Sequence, residues 1–384
     1  MNTPSRIRSK LPDVGVSIFA EMTRLAQEHR AINLAQGFPD FDCDPGLIEA
    51  VHLYMQAGEN QYAPMPGLLE LREALAAKIA RLYGAEYDPL AEITVTSGAT
   101  EALFDVISAF VRPGEEVILL EPCYDAYVPV VRLNGGVPRF VTLRAPGYRV
   151  DWAEVRRLLS TRTRLLVVNS PHNPTGSILD ARDLDTLASV LDGSDVIVLS
   201  DEVYEHIVFD GARHESVARH PGLRARACVV SSFGKTYHTT GWKVGYVAAP
   251  QALTAEVRRV HQFVTFATNT PAQHAFAEIT RRRAGYDDLA AFYQAKRDRF
   301  LDRLAGSRFV PIPVCGTYFQ MLDYSAISGE ADTAFAMRLL KDHGVASIPT
   351  SALLYNSEAP RALRFCFAKR DETLDEAAGR LRAV

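Results

Sequence analysis

The sequence predicts an α/β protein with a mostly parallel sheet between helices, followed by a smaller α+β domain. Two observations lead to this fold class. In the middle of the chain, short β-branched apolar runs alternate with helical patterns, which is typical of strands buried on both faces of a parallel sheet. After about residue 270, longer helical patterns and segments of alternating polarity replace these runs.

The predicted strands of the sheet follow one another along the middle of the chain. They are residues 93–96, 117–120, 165–169, 196–200, 228–232 and 244–248. Helices are predicted at residues 99–110 and, after a loop rich in Pro and Gly, at residues 181–191. Ligands of such sheets bind beyond the carboxyl ends of the strands, so polar residues that follow these runs are candidates for a functional site.

The C-terminal part is predicted to form a second, smaller domain. A helical pattern covers residues 286–304, and residues 318–321 and 363–367 alternate like strands with one exposed face. We expect residues 45–275 to form the large domain, and residues 1–44 together with 276–384 to form the small one.

Composition excludes several classes of function. The chain has 384 residues, and its formal net charge of −4 gives no general attraction to nucleic acid or anionic membranes. No apolar run reaches the roughly 20 residues that span a bilayer, and residues 1–10 do not resemble a secretory signal. Five scattered cysteines without metal or redox spacing predict free thiols and a cytoplasmic location. Ten histidines without ligand pairing predict no metal site.

Residues 231–236 (SSFGKT) contain a lysine with three possible roles. A P-loop would need Gly at position 229, where Val229 stands. Ser232 and Lys235 match the Ser-x-x-Lys of serine acyl enzymes, but no other motif of those enzymes follows at a useful place. In the third interpretation, Lys235 forms a Schiff base at a strand end, because a desolvated lysine has a lowered pKa and attacks carbonyls.

Residues 97–101 (SGATE) form a predicted turn from a strand into a helix. The small residues let the backbone N–H groups of Gly98, Ala99 and Thr100 approach an anion at the helix N-terminus. Ordinary capping by Ser97, with Thr100 or Glu101 closing a capping box, explains the same residues and is the commoner use.

Two further segments follow predicted strands. Residues 169–176 (NSPHNPTG) are explained as a tight loop by Pro and Gly alone, and we interpret His172 as structural. Residues 200–204 (SDEVY) place a carboxylate directly after a buried run, where ligands are often contacted. A helix N-cap would also explain Asp201.

Taken together, these segments resemble the class I aminotransferases of pyridoxal-phosphate fold type I. The resemblance covers nearly the whole chain, and the motifs keep the order that the family has. They are residues 60–64 (NQYAP), 97–100 (SGAT), 173–176 (NPTG), 201–204 (DEVY), 232–235 (SFGK), 241–245 (GWKVG) and 364–365 (RF). Residues 33–41 (NLAQGFPDF) and 231–245 are most similar to bacterial methionine aminotransferases, which are related to kynurenine and glutamine–phenylpyruvate aminotransferases.

The resemblance implies a large domain with a mostly parallel seven-stranded sheet, and pyridoxal 5'-phosphate as the cofactor. It implies that Lys235 holds the cofactor as a Schiff base and then moves the substrate's Cα proton. Asp201 would pair with the pyridine nitrogen and keep it protonated, which makes the ring an electron sink. Tyr204 and Asn173 would hydrogen-bond the phenolate oxygen of the ring.

The family also implies which groups surround the ring and its phosphate. Tyr124 would stack on one ring face, and Val203 would pack on the other. The residues expected to hold the phosphate are Gly98, Ala99, Thr100, Ser232 and Lys243. Tyr62 of the partner subunit would reach the same phosphate, which implies a homodimer with shared active sites.

Substrate recognition is implied by the same resemblance. Arg364 would clamp the α-carboxylate through two hydrogen bonds, helped by Asn173 and the backbone of Gly37. Phe19 and the partner's Phe266 would line an apolar side-chain pocket that suits methionine or aromatic amino acids, although both residues are equally explained as core aromatics.

The chain departs from the family pattern at three points. Lys243 stands where many relatives have Arg, and Tyr124 stands where aspartate aminotransferases have Trp. No second Arg is assignable to a distal carboxylate, so a preference for aspartate is not expected.

Three functions remain open from the sequence. The favoured one is transfer of an amino group between an apolar, sulfur-containing or aromatic amino acid, methionine first, and a 2-oxo acid. A cysteine-conjugate-type β-lyase would use the same lysine and ring. A non-catalytic coenzyme-binding regulator is disfavoured, because only about 30 residues precede the catalytic unit, too few for a DNA-binding domain.

Overall fold

A computed structural model describes residues 8–283 and 286–384. Residues 1–7, 284 and 285 of the predicted small domain therefore lie outside the described residues. The helices are α1 (Ile18–Glu28), α2 (Pro45–Gln56), α3 (Leu69–Tyr83), α4 (Gly98–Phe110), α5 (Tyr127–Leu133), α6 (Trp152–Leu158), α7 (Ala181–Val190), α8 (Pro221–Arg224), α9 (Phe233–Thr236), α10 (Gln251–Val264), α11 (Thr270–Arg282), α12 (Leu289–Leu304), α13 (Asp332–His343) and α14 (Asp371–Arg382). None of the helices in these two stretches is long and apolar enough to cross a membrane.

The strands form three sheets. They are β1 (Ile32–Asn33), β2 (Ile93–Thr96), β3 (Glu116–Glu121), β4 (Val137–Thr142), β5 (Thr163–Asn169), β6 (Ile197–Asp201), β7 (Ala227–Ser232), β8 (Gly245–Ala248), β9 (Val310–Pro311), β10 (Phe319–Asp323), β11 (Val345–Ala346), β12 (Ile348–Pro349) and β13 (Ala362–Cys366).

The largest sheet has seven strands in the order β2-β8-β7-β6-β5-β3-β4. Only β8 runs in the direction opposite to the other six strands, so the predicted mostly parallel sheet is confirmed. The sequence did not predict β4. This strand lies at the edge of the sheet, is partly exposed and contains Pro138, so it lacks the continuous apolar run of a central strand.

Two apolar clusters cover the two faces of this sheet. Along β5, Leu166 and Val168 belong to one cluster, whereas Leu165 and Val167 belong to the other. Successive side chains of a strand point to opposite faces, so burial on both sides requires apolar residues at every position. Each such side chain contributes roughly 1.5–3 kcal/mol when it is fully buried.

The C-terminal strands form a four-stranded antiparallel sheet in the order β12-β13-β10-β9. Both β10 and β13 are buried on two faces, so the exposed face predicted for residues 318–321 and 363–367 is wrong. On one face, Met321 and Ala362 pack into a cluster shared with the large sheet, and on the other face, Leu322 and Phe365 pack into the cluster of the C-terminal helices. The short parallel pair β1–β11 joins the N-terminal segment to this part of the chain. The domain boundaries given above remain a prediction.

Candidate active site

A cavity of about 460 Å³ opens at the carboxyl ends of the parallel strands, where such sheets bind ligands. Residues from the N-terminal segment, the large sheet and the C-terminal sheet line it. The predicted site residues that line this cavity are Phe19, Gly37, Gly98, Ala99, Thr100, Tyr124, Asn173, Asp201, Val203, Tyr204, Ser232, Lys235, Lys243 and Arg364. The predicted residues that do not line it are Tyr62 and Phe266.

Lys235 lies in the short helix α9, directly after β7. The Ser232 side chain caps this helix by accepting from the Gly234 N–H at 3.1 Å. The Lys235 Nζ donates to the Gly37 carbonyl at 3.3 Å, and loss of solvent in the cavity lowers the pKa of Lys235 to about 8. An amine with this pKa is partly neutral near pH 7, so it can attack a carbonyl or accept a proton.

Asp201 is the last residue of β6 and is buried. Its Oδ2 accepts from the Tyr127 hydroxyl at 2.6 Å, and its Oδ1 accepts from the Val203 N–H at 3.3 Å. Burial raises the pKa of Asp201 to about 6, with the Tyr127 hydrogen bond acting against it. A turn and not a helix follows β6, so the helix N-cap interpretation of Asp201 is wrong. A buried carboxylate at the cavity wall suits a cationic ring N–H.

The residues predicted around the ring also meet in the cavity. Tyr124 and Val203 both line it, and burial raises the pKa of Tyr204 far above its ordinary value, so its phenol keeps the proton and can donate. Asn169 positions Asn173, because the Asn169 Oδ1 accepts from the Asn173 N–H at 2.8 Å.

Arg364 lies in β13 and is fully buried. One terminal nitrogen donates to the Asn173 Oδ1 at 2.8 Å and the other to the Ala35 carbonyl at 2.7 Å. Its guanidinium carbon stands 3.9 Å from the ring centre of Phe319 and 4.9 Å from that of Phe19. The Nε has no hydrogen-bond partner within the described part of the chain. A buried cation with only neutral partners is suited to a carboxylate ligand.

Gly37 closes the cavity from the side of the N-terminal segment. Its carbonyl accepts from the Tyr318 hydroxyl at 2.5 Å as well as from Lys235. A Cβ at this position would come within 2.8 Å of the Phe319 ring, so the close approach of the backbone requires glycine.

The turn into α4 forms a cradle that suits a phosphate. Gly98 has a φ of +73°, and the Lys243 Nζ would lie 3.3 Å from a Cβ built there. The same Nζ donates to the Thr100 Oγ1 at 3.3 Å. A Cβ on Gly245 would meet the Ala99 nitrogen at 2.7 Å, so two glycines bring this backbone close to the neighbouring strand. First-turn N–H groups and a lysine together favour an anion.

Ordinary capping explains this turn only in part. The Ser97 side chain makes no cap hydrogen bond, whereas the Glu101 carboxylate accepts from the Ser97 N–H. Only half of the capping box is therefore formed.

Tyr62 and Phe266 lie on the surface, away from the cavity lining. They are 83% and 43% exposed, and their rings pack edge to face with centres 5.8 Å apart. Phe266 is therefore not a core aromatic, which was its alternative interpretation. The action of Tyr62 and Phe266 from a partner subunit remains a prediction.

His172 is buried, and its Nδ1 is 2.8 Å from the Thr175 Oγ1. Burial lowers the pKa of His172 to about 4. It does not line the cavity, which agrees with a structural role.

Sequence reasoning missed several polar residues of the site. Tyr127, Tyr318 and Asn169 position functional groups, and Asp125 lines the cavity. Tyr127 follows the predicted Tyr124 by three residues, and their ring centres lie 5.7 Å apart, so closeness to a predicted site residue was the signal available in the sequence.

Comparison with known proteins gives a consistent result. Residues 29–381 match the family model "Aminotransferase class I and II". The chain is 50% identical to the methionine aminotransferase of Escherichia coli (strain K12), over 100% of both chains. It is 34% identical to human kynurenine–oxoglutarate transaminase 1, over 97% of both chains. The crystal structure of YbdL from Escherichia coli, identified as having a methionine aminotransferase function, superposes with a TM-score of 0.97 at 49% identity, covering 99% of this chain and 100% of YbdL.

Proposed function

The chain belongs to the aminotransferases of class I and II, and from this premise we propose that it uses pyridoxal phosphate to move amino groups between methionine or similar amino acids and 2-oxo acids. The observation that carries the proposal is the meeting, in one cavity, of Lys235, Asp201 and Arg364 with the α4 cradle. Each supplies one group that this cofactor and an amino acid require.

The residues of the cavity would have separate roles in holding the cofactor, moving a proton and binding the substrate. When bound, pyridoxal phosphate supplies a ring that stabilises negative charge at the substrate Cα. Asp201 would accept the ring N–H, and the Tyr204 phenol would donate to the ring oxygen. Lys235 would hold the cofactor, and its amine would move the Cα proton of the substrate. Arg364 holds the α-carboxylate and so fixes the Cα proton near Lys235.

The cations of the cavity support an apolar donor. Among the described residues that line it, the cationic ones are Lys235, Lys243 and Arg364, and each has a role already. None is left for a distal carboxylate. Phe19, Leu103 and Phe319 contribute apolar surface to the same cavity. Together with the similarity to methionine aminotransferases, this favours methionine over aspartate.

A homodimer with shared sites belongs to the proposal. Exposed large apolar side chains support it, among them the Phe266 ring that packs on Tyr62, because such side chains are often covered by a partner. The exposed apolar residues of helices α2 and α10 and of the segment after α10 are Ile48, Leu53, Met55, Phe263, Val264 and Phe266. Tyr62 of the partner subunit would reach the phosphate, and the partner's Phe266 would line the substrate pocket.

A cytoplasmic location also remains part of the proposal. Cys43, Cys123, Cys228, Cys315 and Cys366 are all free thiols. Free thiols are the expected state in a reducing compartment.

A half-reaction tests the proposed function. The protein is loaded with pyridoxal phosphate, mixed with methionine without a 2-oxo acid, and followed by its visible spectrum. We expect conversion to the pyridoxamine form, with one 2-oxo acid released per site and no ammonia. A β-lyase requires a leaving group on Cβ, which methionine lacks. Steady release of ammonia and pyruvate from a cysteine S-conjugate, without transamination of methionine, would instead identify a β-lyase.

Borohydride reduction of the loaded protein identifies the lysine that holds the cofactor. We expect the label on Lys235, no label in Lys235→Ala, and an unchanged position of the label in Lys243→Ala, whose loss removes only a phosphate contact. A label on any other lysine of the wild-type protein contradicts the site.

A further inference from the structure

A buried ionic cluster lies directly behind the phosphate cradle. Glu101 and Asp105 extend from α4, and His261 extends from α10, all of them buried. The His261 Nδ1 is 2.8 Å from the Glu101 Oε1 and 3.6 Å from the Asp105 Oδ2. Its Nε2 is 2.9 Å from the carbonyl oxygen of Met65.

The partners of His261 define its protonation. A carbonyl only accepts, so the Nε2 carries a proton, and the Glu101 carboxylate requires a second proton on the Nδ1. Burial alone would lower the pKa of His261, but the hydrogen bond to Glu101 and the nearby Asp105 carboxyl group outweigh it and raise the pKa to about 9. His261 is therefore an imidazolium at neutral pH.

The three side chains could each offer a metal-ligand atom, and these atoms lie within 4.8 Å of one another. The distances between them nevertheless indicate hydrogen bonding and not metal coordination. Ligand atoms around a tetrahedral zinc lie about 3.3 Å apart, given zinc–ligand distances of about 2.0 Å. The distance of 2.8 Å between Glu101 and His261 is that of a charge-assisted hydrogen bond.

Glu101 uses both carboxylate oxygens to hold this part of the fold. The Oε2 accepts from the Ser97 N–H, and the Oε1 accepts from the Thr265 hydroxyl as well as from His261. Ser97 directly precedes Gly98, where the cradle begins. Because the Ser97 side chain makes no cap bond, Glu101 is the side chain that fixes the entry into α4.

The negative charge of Glu101 opposes phosphate binding at this helix N-terminus, and the positive charge of His261 offsets it. A helix N-terminus attracts a phosphate, but a carboxylate in the first turn of the same helix repels it. An imidazolium against this carboxylate neutralises the repulsion while keeping the hydrogen bond that orients the turn. The Met65 carbonyl holds the imidazolium in place from the opposite side.

We propose that Glu101 and His261 are positioning residues for the cofactor phosphate. Glu101 orients the backbone N–H groups of residues 98–100, and His261 fixes Glu101 and cancels its charge. Neither residue lines the cavity, so both act through the turn into α4. This inference rests on the proposed use of pyridoxal phosphate.

The test compares two ligands that differ only in the phosphate. Cofactor-free wild type, Glu101→Ala, which removes the acceptor for the Ser97 N–H, and His261→Gln are titrated with pyridoxal 5'-phosphate and, separately, with pyridoxal. We expect the Kd for pyridoxal phosphate to rise about tenfold or more in both variants, with a change of less than about twofold for pyridoxal. A merely structural defect raises the Kd for both ligands alike and overturns the inference.

His214→Gln is the matched control. His214 forms a buried pair with Glu202 at 2.9 Å, and it does not line the cavity. Like His261→Gln, this variant loses a buried histidine–carboxylate pair and the stability that the pair provides. The ratio of the Kd for pyridoxal phosphate to the Kd for pyridoxal should nevertheless stay that of wild type. An equal change of the ratio in the control overturns the inference.

A milder variant covers the case that the buried substitutions do not fold. Thr265→Val removes one hydrogen bond to Glu101 at an exposed position, and a rise of a few fold in the Kd for pyridoxal phosphate alone is expected. If the ratio of the Kd for pyridoxal phosphate to the Kd for pyridoxal is the same in Thr265→Val as in wild type, the inference is overturned. If wild type itself binds no pyridoxal phosphate, the proposed function fails first, which is a distinguishable result.

Discussion

Asp201 and Arg364 are charged side chains with little access to water, and each belongs to a motif of the sequence and lines the cavity. A motif gives the residue type and the strand end at which it stands. It does not give the partners, because Tyr127 and Tyr318 reach the site from segments far away along the chain. Their contacts depend on how the elements pack, and for Tyr318 the sequence carries no local signal.

Asp201 should reduce the stability of the cofactor-free protein. Its pKa is raised to about 6 from 3.8, so the folded state binds more protons than the unfolded state between these values. Stability therefore falls as the pH rises from about 4 through 6 and stays lower at pH 7. We expect Asp201→Asn, which keeps the contact with Tyr127, to stabilise the cofactor-free protein at pH 7 by up to about 3 kcal/mol.

Urea unfolding of both proteins at several pH values checks this expectation. The difference should shrink as the pH falls from 7 towards 4, where the wild-type carboxyl becomes neutral. Equal stability at pH 7 would contradict the burial argument. The same variant should be inactive, which separates stability from function at one residue.

Arg364 should affect the binding of every amino acid in the same way. Arg364→Lys keeps the charge but loses the planar fork that donates to a carboxylate through two nitrogens. We expect the KM for methionine and for phenylalanine to rise by a similar factor of roughly 10 to 100. Steady-state kinetics with both donors measures this. A change for one donor alone would show that Arg364 contacts the side chain of the substrate instead.

At the scale of helices and strands, the sequence predicted the elements that have a clear apolar pattern. It missed an edge strand and the burial of strands that depends on the packing of neighbouring elements. The central strands were found because burial on both faces forces a continuous apolar run. The edge strand β4 was missed for the opposite reason. The exposure of β10 and β13 was wrong because their second face packs against the large sheet, which no local pattern reveals.

Helix α1 should control access to the cavity. Its N-cap Ser17 accepts from the Phe19 N–H and donates to the Asp125 Oδ2 at 2.9 Å, so one hydroxyl ties Phe19 to the cavity wall. Ser17→Ala removes both bonds, at a typical cost of about 1 kcal/mol. We expect a KM for methionine raised by a few fold, with kcat little changed.

Hydrogen exchange of the first turn of α1 should become faster in the same variant. Arg24→Ala is the control on the same helix, because its pair with Glu28 is more than half exposed and contributes little. Equal KM values for Ser17→Ala and wild type would show that the tie does not hold Phe19 over the cavity.

The site forms only when distant segments of the folded chain come together. Phe19 and Gly37 come from the N-terminal segment, Lys235 follows the large sheet, and Arg364 belongs to the C-terminal sheet. The sequence shows the order of these motifs along the chain, and the family resemblance implied that they form one site. Composition and periodicity alone could not imply this, since they carry no information on which distant segments meet.

The proposed exchange of Tyr62 between subunits is open to a direct test at this largest scale. Lys235→Ala and Tyr62→Ala each damage both sites of their own homodimer. In a mixed dimer of the two variants, one site receives both changes, while the other combines an intact Lys235 with an intact Tyr62 of the partner subunit. Mixing equal amounts under conditions of subunit exchange should therefore restore about a quarter of wild-type activity. If Tyr62 served its own subunit, every site would keep one of the two changes, and mixing would restore nothing.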